Sequence, residues 1–318
     1  METKTATTFS VLKETEVQYL QSILAKGGPD LEDYPVFEEY VNKLNDQGIE
    51  ELRILLKPIL NKENMIGYGY VKPYGYAGDF HVIDMIYQVK TSDDPRYHKW
   101  DKWYHEQHAP QAVRNRKEFF LNLCAELDAK NDKPKEMLIL GSGPAADVFE
   151  YLESNPDSRI HFDLLDLDQR AIDYAREKNL KYLDRLNFIR INVLRFKTHK
   201  FYDTIWSAGL FDYFKEKHFV YLVNKYREFI AEDGEMVIGN FADGNPSVKL
   251  MHVLCDWNLN LRSKEDLTHY AVAAGADPSS IRVDSEPLGV NLFLRIKNNK
   301  NSFKTAENFI SWLEFNNN

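Results

Sequence analysis

An apolar run that ends abruptly in a glycine turn is the feature that most constrains the fold of this chain. The run at 137–140 leads into Gly141-Ser142-Gly143, and the residues after it have the pattern of a helix. One strand–helix unit later, a second apolar run ends in Asp166. A strand, a glycine turn, a helix and a strand tipped with a carboxylate form half of a nucleotide-binding crevice. The sequence therefore predicts an enzyme that uses a nucleotide-containing cofactor.

Strands and helices alternate from about residue 136 onward. The predicted strands are 136–140, 160–166, 187–192, 202–207, 234–241, 281–286 and 291–297. The predicted helices are 145–154, 168–184, 216–231 and 263–274. This alternation indicates a mostly parallel sheet covered on both faces, but the gap at 287–290 is too short for a parallel crossover. We therefore predict an α/β fold: a doubly wound, mostly parallel, seven-stranded sheet with an antiparallel last strand.

The first 130 residues have a different pattern, because apolar residues there recur at helical spacing. The residues that show it are Val17, Leu20, Leu24, Phe37, Tyr40, Val41, Leu44, Leu52, Leu55, Leu56 and Leu60. A further helix is predicted at 112–128, before a polar segment with a proline at 131–135. We expect a helical cap or substrate domain at 1–132, a cofactor-binding domain at 133–298 and a polar tail at 299–318.

Composition narrows the class of partner. The chain has 318 residues, with 40 Lys and Arg against 49 Asp and Glu, so its formal net charge is −9. An acidic chain has no overall field that attracts nucleic acid or anionic lipid, so neither is expected as a partner. Cys124 and Cys255 lie far apart and indicate neither a disulfide framework nor a zinc site. Without a signal-peptide pattern or a membrane-length apolar run, a cytoplasmic location is expected; monomer and homodimer stay open.

The ends of four predicted strands supply the candidate cofactor residues. Glycine lacks a Cβ, so Gly141 and Gly143 allow close approach to a ligand, although a purely structural turn is the alternative. Asp166 can accept both hydroxyl hydrogens of a ribose, whereas Asp168 is better placed to cap the next helix. Asn192 is positioned to meet an adenine amino group, with an ordinary loop asparagine as the alternative. The full candidate set is Gly141, Ser142, Gly143, Asp166, Leu167, Asn192, Val193, Ser207 and Ala208.

Residues 136–297 together resemble the class I S-adenosylmethionine-dependent methyltransferases. The segment 138–144 is similar to the first motif of that family, 166–168 to the second and 201–205 to its fourth strand. The terminal hairpin is similar to the antiparallel last strand of the family. The resemblance implies S-adenosylmethionine as the cofactor, with the glycine turn along its methionine part, Asp166 on the ribose and Asn192 at the adenine.

Two positions depart from the family pattern. Ala145 stands where many members have a third glycine, and Asn192 stands where they often have an acid. A dinucleotide-dependent dehydrogenase is the main alternative, but Asp147 would repel a pyrophosphate at the start of its helix. A non-catalytic module that binds S-adenosylmethionine is a second alternative. The acidic balance, and the lack of an Asn/Asp-Pro-Pro-Tyr/Phe tetrad after the fourth strand, disfavour nucleic-acid methylation.

A segment rich in tyrosine and glycine, 67–80, predicts a loop. Its four tyrosines and four glycines are unsuited to a regular helix. Tyr74 and Tyr76 are expected to cover the substrate as part of a lid, or else to pin the loop to the protein. With 84–87, 112–116 and 256–262, the segment resembles a bacterial methyltransferase clade associated with 3-hydroxy fatty acid methyl esters. That resemblance implies a small-molecule acceptor and O-methylation of a carboxylate; N-methylation stays open.

Cationic and titratable side chains supply candidates for the acceptor side. Arg114, Arg116 and Arg262 suit the carboxylate of a substrate or of the cofactor, with surface ion pairs as the alternative. Where a proton must be removed, the candidates are His105, His108 and Tyr213. His105 and His108 are expected to share one helical face. No trio of carboxylates completes a site around the two histidines, so no metal is expected.

Overall fold

A computed structural model describes residues 10–130 and 133–298, so the predicted tail at 299–318 lies outside the described residues. The helices are α1 Glu14–Ala25, α2 Tyr34–Lys43, α3 Asp46–Leu55, α4 Met65–Val71, α5 Phe80–Tyr87, α6 His98–Glu106, α7 His108–Asp128, α8 Ala146–Ser154, α9 Gln169–Lys178, α10 Glu216–Arg227, α11 Val248–Cys255 and α12 Lys264–Ala273. The strands are β1 Lys135–Leu140, β2 Ile160–Asp166, β3 Leu186–Arg190, β4 Tyr202–Ala208, β5 Ile230–Phe241, β6 Ile281–Ser285 and β7 Asn291–Lys297. Over these described ranges, every helix is too short or too polar to cross a membrane.

The chain forms two compact units whose boundary differs from the predicted one at 131–135. The N-terminal unit is Met1–Gln111 with Pro246–Asn258, and the sheet unit is Ala112–Asn245 with Leu259–Asn318. The boundary lies inside α7, and α11, which the sequence pattern did not predict, belongs with the N-terminal helices. An eight-residue helix spans barely two turns, which is too short for a clear hydrophobic period.

Helix α11 is an integral part of the N-terminal unit. It packs against α2, α3 and α4. Arg53 on α3 donates from Nε to the carbonyl of Val253 at 2.9 Å and from Nη2 to that of His252 at 3.0 Å. These carbonyls lie in the last turn of α11, and that of His252 also accepts from the Asp256 N–H at 3.1 Å. The N-terminal unit is therefore completed by residues that follow β5 in the sequence.

The first part of the tyrosine- and glycine-rich segment is helical, which corrects the prediction of a loop over 67–80. Asn64 caps α4, because its Oδ1 accepts from the Gly67 N–H at 2.9 Å. A Cβ on Gly67 would lie 2.1 Å from the Asn61 carbonyl oxygen, and one on Gly69 would lie 3.0 Å from Cys255 Sγ. These glycines allow close packing rather than a flexible turn. Only residues 72–79 connect α4 to α5.

The sheet confirms the predicted fold class. Its strand order is β3-β2-β1-β4-β5-β7-β6, with parallel pairing from β3 to β5. β7 pairs antiparallel with both β5 and β6, so it lies between them rather than at the edge. The chain leaves β1 for β2 on one side, while β4 lies on the other side. The order therefore reverses between β1 and β4, and this switch point opens a crevice at the carboxyl ends of the strands.

Both faces of the sheet are covered by apolar side chains, which fixes the strand ends on which the crevice depends. On one face Phe120 from α7 packs near Trp206 and Phe293, and Phe119 stacks on Phe293 with ring centroids 3.8 Å apart. On the other face α10 and α12 contribute a second cluster that includes Phe219. Each large side chain buried this way contributes about 2 kcal/mol. α7 is thereby held against the ends of β4 and β7.

Candidate functional site

The glycine turn after β1 has the left-handed backbone geometry that glycine allows. Gly141 and Gly143 have φ of +69° and +53°, in the left-handed region that favours glycine. The N–H groups of Gly141 and Ser142 both donate to the Leu165 carbonyl, at 2.8 and 2.9 Å. A Cβ on Gly143 would meet no atom within 4 Å. The turn is therefore tied to β2 on one side and opens into free space at Gly143.

Ala145 is one of the two departures from the family pattern, and its backbone conformation explains why many members have glycine there. It caps α8 with φ +46° and ψ +35°, so it is left-handed like the glycines beside it. A non-glycine residue in this region costs about 1 kcal/mol. The conformation accounts for a third glycine at this position in similar turns, and it shows that this chain keeps the same turn with alanine.

Asp166 closes the turn from β2. Its Oδ2 accepts from the Gly143 N–H at 2.9 Å, and its Oδ1 accepts from the Asp168 N–H at 2.9 Å. A carboxylate has about four lone-pair sites, so each oxygen keeps capacity for one more donor. Burial raises the pKa of Asp166, opposed by these N–H donors. Asp168 caps α9 by accepting from the Arg170 N–H at 3.0 Å, as predicted.

The remaining predicted cofactor residues divide into exposed and structural positions. Leu167 is 61% exposed next to Asp166, so it is open to a ligand. Ser207 Oγ is buried and donates to the Leu140 carbonyl at 2.9 Å. The Val193 carbonyl accepts from Tyr226 at 2.9 Å, and Asn192 Oδ1 accepts from the Leu194 N–H at 2.9 Å. Asn192 Oδ1 thus makes one contact within its own turn and keeps one lone pair for an adenine amino group.

Arg116 on α7 lies at the crevice. The residue is buried, and its Nη1 is 2.9 Å from the position of a Cβ on Gly209, just after β4. Its positive charge acts to lower the pKa of both Asp147 and Asp212, so the guanidinium faces these two carboxyls. Within the described residues its Nε has no hydrogen-bond partner. Arg116 is therefore a buried cation with unused donor capacity, and Arg114, two residues earlier, is half-buried.

Asp147 and Asp212 give the crevice two carboxyls with perturbed acidity. Burial is the main cause, and it raises the pKa of each to about 6. Asp212 also accepts from the Phe241 N–H at 2.7 Å, which fixes its side chain beside β5. Both carboxyls therefore change charge close to neutral pH.

Replacing Asp147 with asparagine is expected to stabilise the protein at pH 7.5 by up to about 3 kcal/mol. Burial raises the pKa of Asp147 from 3.8 to about 6, so the folded state binds this proton more tightly than the unfolded chain. The stability that this group contributes is present at acid pH and is lost as the pH rises through 6. Urea unfolding at pH 4.5 and 7.5 should show a gain for Asp147→Asn that shrinks at pH 4.5. The exposed Asp157→Asn variant is the control, and equal behaviour of the two variants would contradict the assignment.

Arg262 is engaged inside the protein, which argues against its predicted role as a substrate ligand. Its Nη1 donates to the Phe211 carbonyl at 3.1 Å and its Nη2 to the Phe214 carbonyl. The guanidinium also lies over the Phe219 ring, 4.6 Å from the centroid. Arg262 therefore holds the turn after β4. Tyr213, in that turn, is 42% exposed and remains a candidate.

The two histidines do not share a helical face, which corrects that prediction. α6 ends at Glu106, and Gln107 has an extended backbone, with φ −71° and ψ 151°, before α7 begins at His108. His105 is buried with Nε2 2.8 Å from the Lys90 carbonyl oxygen, whereas His108 is exposed. Within 10–130 and 133–298, no group of three or more His, Cys, Asp or Glu residues is arranged to hold a metal ion.

The two tyrosines predicted to cover the substrate lie between α4 and α5 in the N-terminal unit. The Tyr74 ring packs 4.5 Å from that of Phe80, and Tyr76 is 39% exposed. Tyr74 therefore has the pinning contact that was the alternative to a lid. Tyr76 keeps an open face, so its role in substrate binding stays a prediction.

Several residues of the crevice were not predicted from the sequence. Asp212, Gly239, Glu286 and Asn291 lie on four separate segments, and none belongs to a local motif. The one available signal was their position next to predicted strand ends. A polar residue at a strand end is too common for that signal to select them.

No protein-family model matches the chain, and no curated protein matches it. Among solved structures, it is similar to a possible exported protein from Bordetella parapertussis at 13% identity, with a TM-score of 0.64 over 91% of this chain and 100% of that one. It is also similar to the apo form of the S-adenosylmethionine-dependent methyltransferase SibL at 13% identity, with a TM-score of 0.50 over 89% of this chain and 72% of that one. At this identity the likeness concerns the fold. The chain has the Rossmann-like methyltransferase fold, as predicted.

Proposed function

We propose that the protein is an S-adenosylmethionine-dependent methyltransferase that acts on a small molecule. The observation that carries the proposal is the contact between the Gly143 N–H and Asp166 Oδ2, 2.9 Å, at the switch point of a sheet with this fold. It joins the open turn after β1 to the carboxylate at the end of β2. SibL, which shares the fold, is an S-adenosylmethionine-dependent methyltransferase.

The residues of the crevice fit this cofactor. Asp166 keeps a lone pair on each oxygen for the two ribose hydroxyls. Ser142 Oγ is buried and lacks a hydrogen-bond partner in the described structure, so a polar ligand would satisfy it. Asp147 and Asp212 suit the ammonium group of the methionine moiety, whereas the two acids would repel a pyrophosphate. The same acids therefore favour this cofactor over a dinucleotide.

We propose a carboxylate oxygen as the methyl acceptor, in keeping with the resemblance to enzymes of methyl ester formation. When bound, the cofactor supplies a methyl group already activated on a sulfonium. The protein then has to align the acceptor and exclude water, and a carboxylate requires no proton removal. Of the three candidate bases, only Tyr213 lies in the sheet unit with the glycine turn. An amine acceptor would need such a base, so an N-methylated product would direct attention to Tyr213.

Calorimetry and product analysis test the proposal. S-adenosylhomocysteine is expected to bind the intact protein, whereas NAD is expected not to bind. Incubation with S-adenosylmethionine carrying a labelled methyl group and a pool of small organic acids should yield labelled methyl esters, seen by mass spectrometry. Failure of the protein to bind S-adenosylhomocysteine would contradict the cofactor assignment. Binding without turnover on organic acids, amines or phenols would favour the non-catalytic module.

A further inference from the structure

Asn291 is a buried side chain with unused hydrogen-bonding capacity. It is the first residue of β7 and only 1% exposed, yet neither Oδ1 nor Nδ2 has a hydrogen-bond partner among the residues the structure describes. An amide buried without partners costs free energy that a leucine of similar size would not. A buried amide at this strand position therefore points to a ligand that supplies an acceptor for Nδ2.

The strand residues next to Asn291 are small, and a Cβ on Gly239 would make ordinary contacts with its neighbours, the Phe293 ring included. A Cβ on Gly239 would lie 3.6 Å from Asn291 Oδ1 and 3.5 Å from the Cα of Ala208, its partner on β4. Gly209 follows Ala208, and a Cβ built on it would lie 2.9 Å from Arg116 Nη1. The Asn291 amide and the Arg116 cation thus flank the small-residue ends of β4 and β5.

Glu286 joins the two segments that carry these side chains. Its Oε2 accepts from Asn115 Nδ2 on α7 at 2.7 Å. Its Oε1 accepts from the N–H groups of Val290 at 2.7 Å and Asn291 at 3.1 Å. One buried carboxylate therefore joins the turn of α7 that carries Arg116 to the start of β7. The pair is preorganised for a ligand rather than mobile.

The charges select the kind of ligand. A guanidinium and an amide N–H together suit the two oxygens of a carboxylate. Arg116 also faces Asp147 and Asp212, and these acids repel a doubly charged anion more strongly than a monoanion. The glycine turn and Asp166 occupy the ends of β1 and β2, so the second substrate is assigned to the region of Gly239 on β5 and the start of β7.

We propose that Arg116 and Asn291 form the site that holds the carboxylate of the methyl acceptor. The inference rests on the proposed function, since it assigns the acceptor side of the same crevice. Arg116 neutralises the acceptor, and Asn291 orients it by hydrogen bonding. A methyl group at Gly239 would contact the Asn291 amide, because it would lie 3.6 Å from Oδ1.

Binding of carboxylates to the complex with S-adenosylhomocysteine tests this site. The probes are benzoate and hexanoate, each compared with its neutral amide, by calorimetry at saturating S-adenosylhomocysteine. We expect the acids to bind more tightly than the amides. Asn291→Leu and Gly239→Ala should each weaken the acids about tenfold. Both variants should leave the affinity for S-adenosylhomocysteine within about twofold of the wild type, since neither residue is assigned to the cofactor.

The thermal stability of the Asn291→Leu variant distinguishes a ligand-binding role of Asn291 from a structural one. Asn291→Leu removes an unsatisfied amide, so its thermal midpoint should equal or exceed that of the wild type. A lower midpoint with unchanged carboxylate affinity would show a structural amide and overturn the inference. The inference would also be overturned if the acids bound no better than their amides. It would be overturned as well if Arg116→Gln lowered the affinity for S-adenosylhomocysteine but not the affinity for the acids. A wild-type protein that binds no S-adenosylhomocysteine would overturn the proposed function and this inference together.

Discussion

Replacing Asp166 with alanine is expected to reduce the affinity for S-adenosylhomocysteine about 100-fold, or about 3 kcal/mol. Its two oxygens are the acceptors assigned to the ribose hydroxyls, and each hydrogen bond to a charged group contributes about 1.5–3 kcal/mol. The variant also removes the 2.9 Å contact that holds the Gly143 N–H, so the turn loses its partner on β2. Calorimetry with S-adenosylhomocysteine measures the loss directly.

Asp168→Ala is the matched control for this prediction. Asp168 is a carboxylate two residues away, but it caps α9 through the Arg170 N–H at 3.0 Å and is not assigned to the ligand. Its loss should lower stability by about 1 kcal/mol and leave the affinity nearly unchanged. Equal affinities for Asp166→Ala and the wild type, or equal losses in both variants, would remove Asp166 from the cofactor site.

Replacing Gly67 with alanine is expected to destabilise the protein by about 3 kcal/mol or more, as overpacking against rigid atoms does. The added Cβ would lie 2.1 Å from the Asn61 carbonyl oxygen and 2.4 Å from that of Ile59. Both are backbone atoms, and Asn64 Nδ2 donates to the Ile59 carbonyl at 2.7 Å. Neither atom can therefore move away without a large cost in free energy. Urea unfolding, followed by circular dichroism, measures the change in free energy.

Gly69→Ala separates this collision from the general effect of a glycine in a helix. Both glycines lie in α4, and alanine favours a helix by about 1 kcal/mol. At Gly69 the new Cβ would lie 3.0 Å from Cys255 Sγ, a side-chain atom. This variant should therefore stay within about 1 kcal/mol of the wild type. Similar losses in both variants would mean that α4 does not pack as described.

The sheet was predictable because its strands carry local signals. β2 and β7 begin and end where the apolar runs do. The position of β7 between β5 and β6 was not predictable, since strand order depends on contacts between distant segments. α4 was predicted as a loop because glycine is a weak helix former, and tertiary packing overrides that propensity here.

The candidate site was likewise only partly predictable from the sequence. Gly141, Gly143 and Asp166 follow from a motif whose residues are near one another in the sequence. Arg262 was assigned to a substrate because its charge is visible in the sequence, whereas the carbonyls that engage it come from another segment. Asn291 gave no signal, because an unsatisfied amide becomes apparent only when the surrounding residues are in place.

The insertion of α11 bears on the order in which the chain folds during synthesis. Pro246–Asn258 leaves the ribosome after all of β1–β5, although it completes a unit that begins at the N-terminus. The surface of α2, α3 and α4 that α11 covers is therefore expected to stay uncovered while the parallel strands emerge. Domains usually fold in the order of their synthesis, but here the first unit to start is unable to finish first. Slowed translation just before residue 246 should prolong the exposure of that surface to chaperones and proteases.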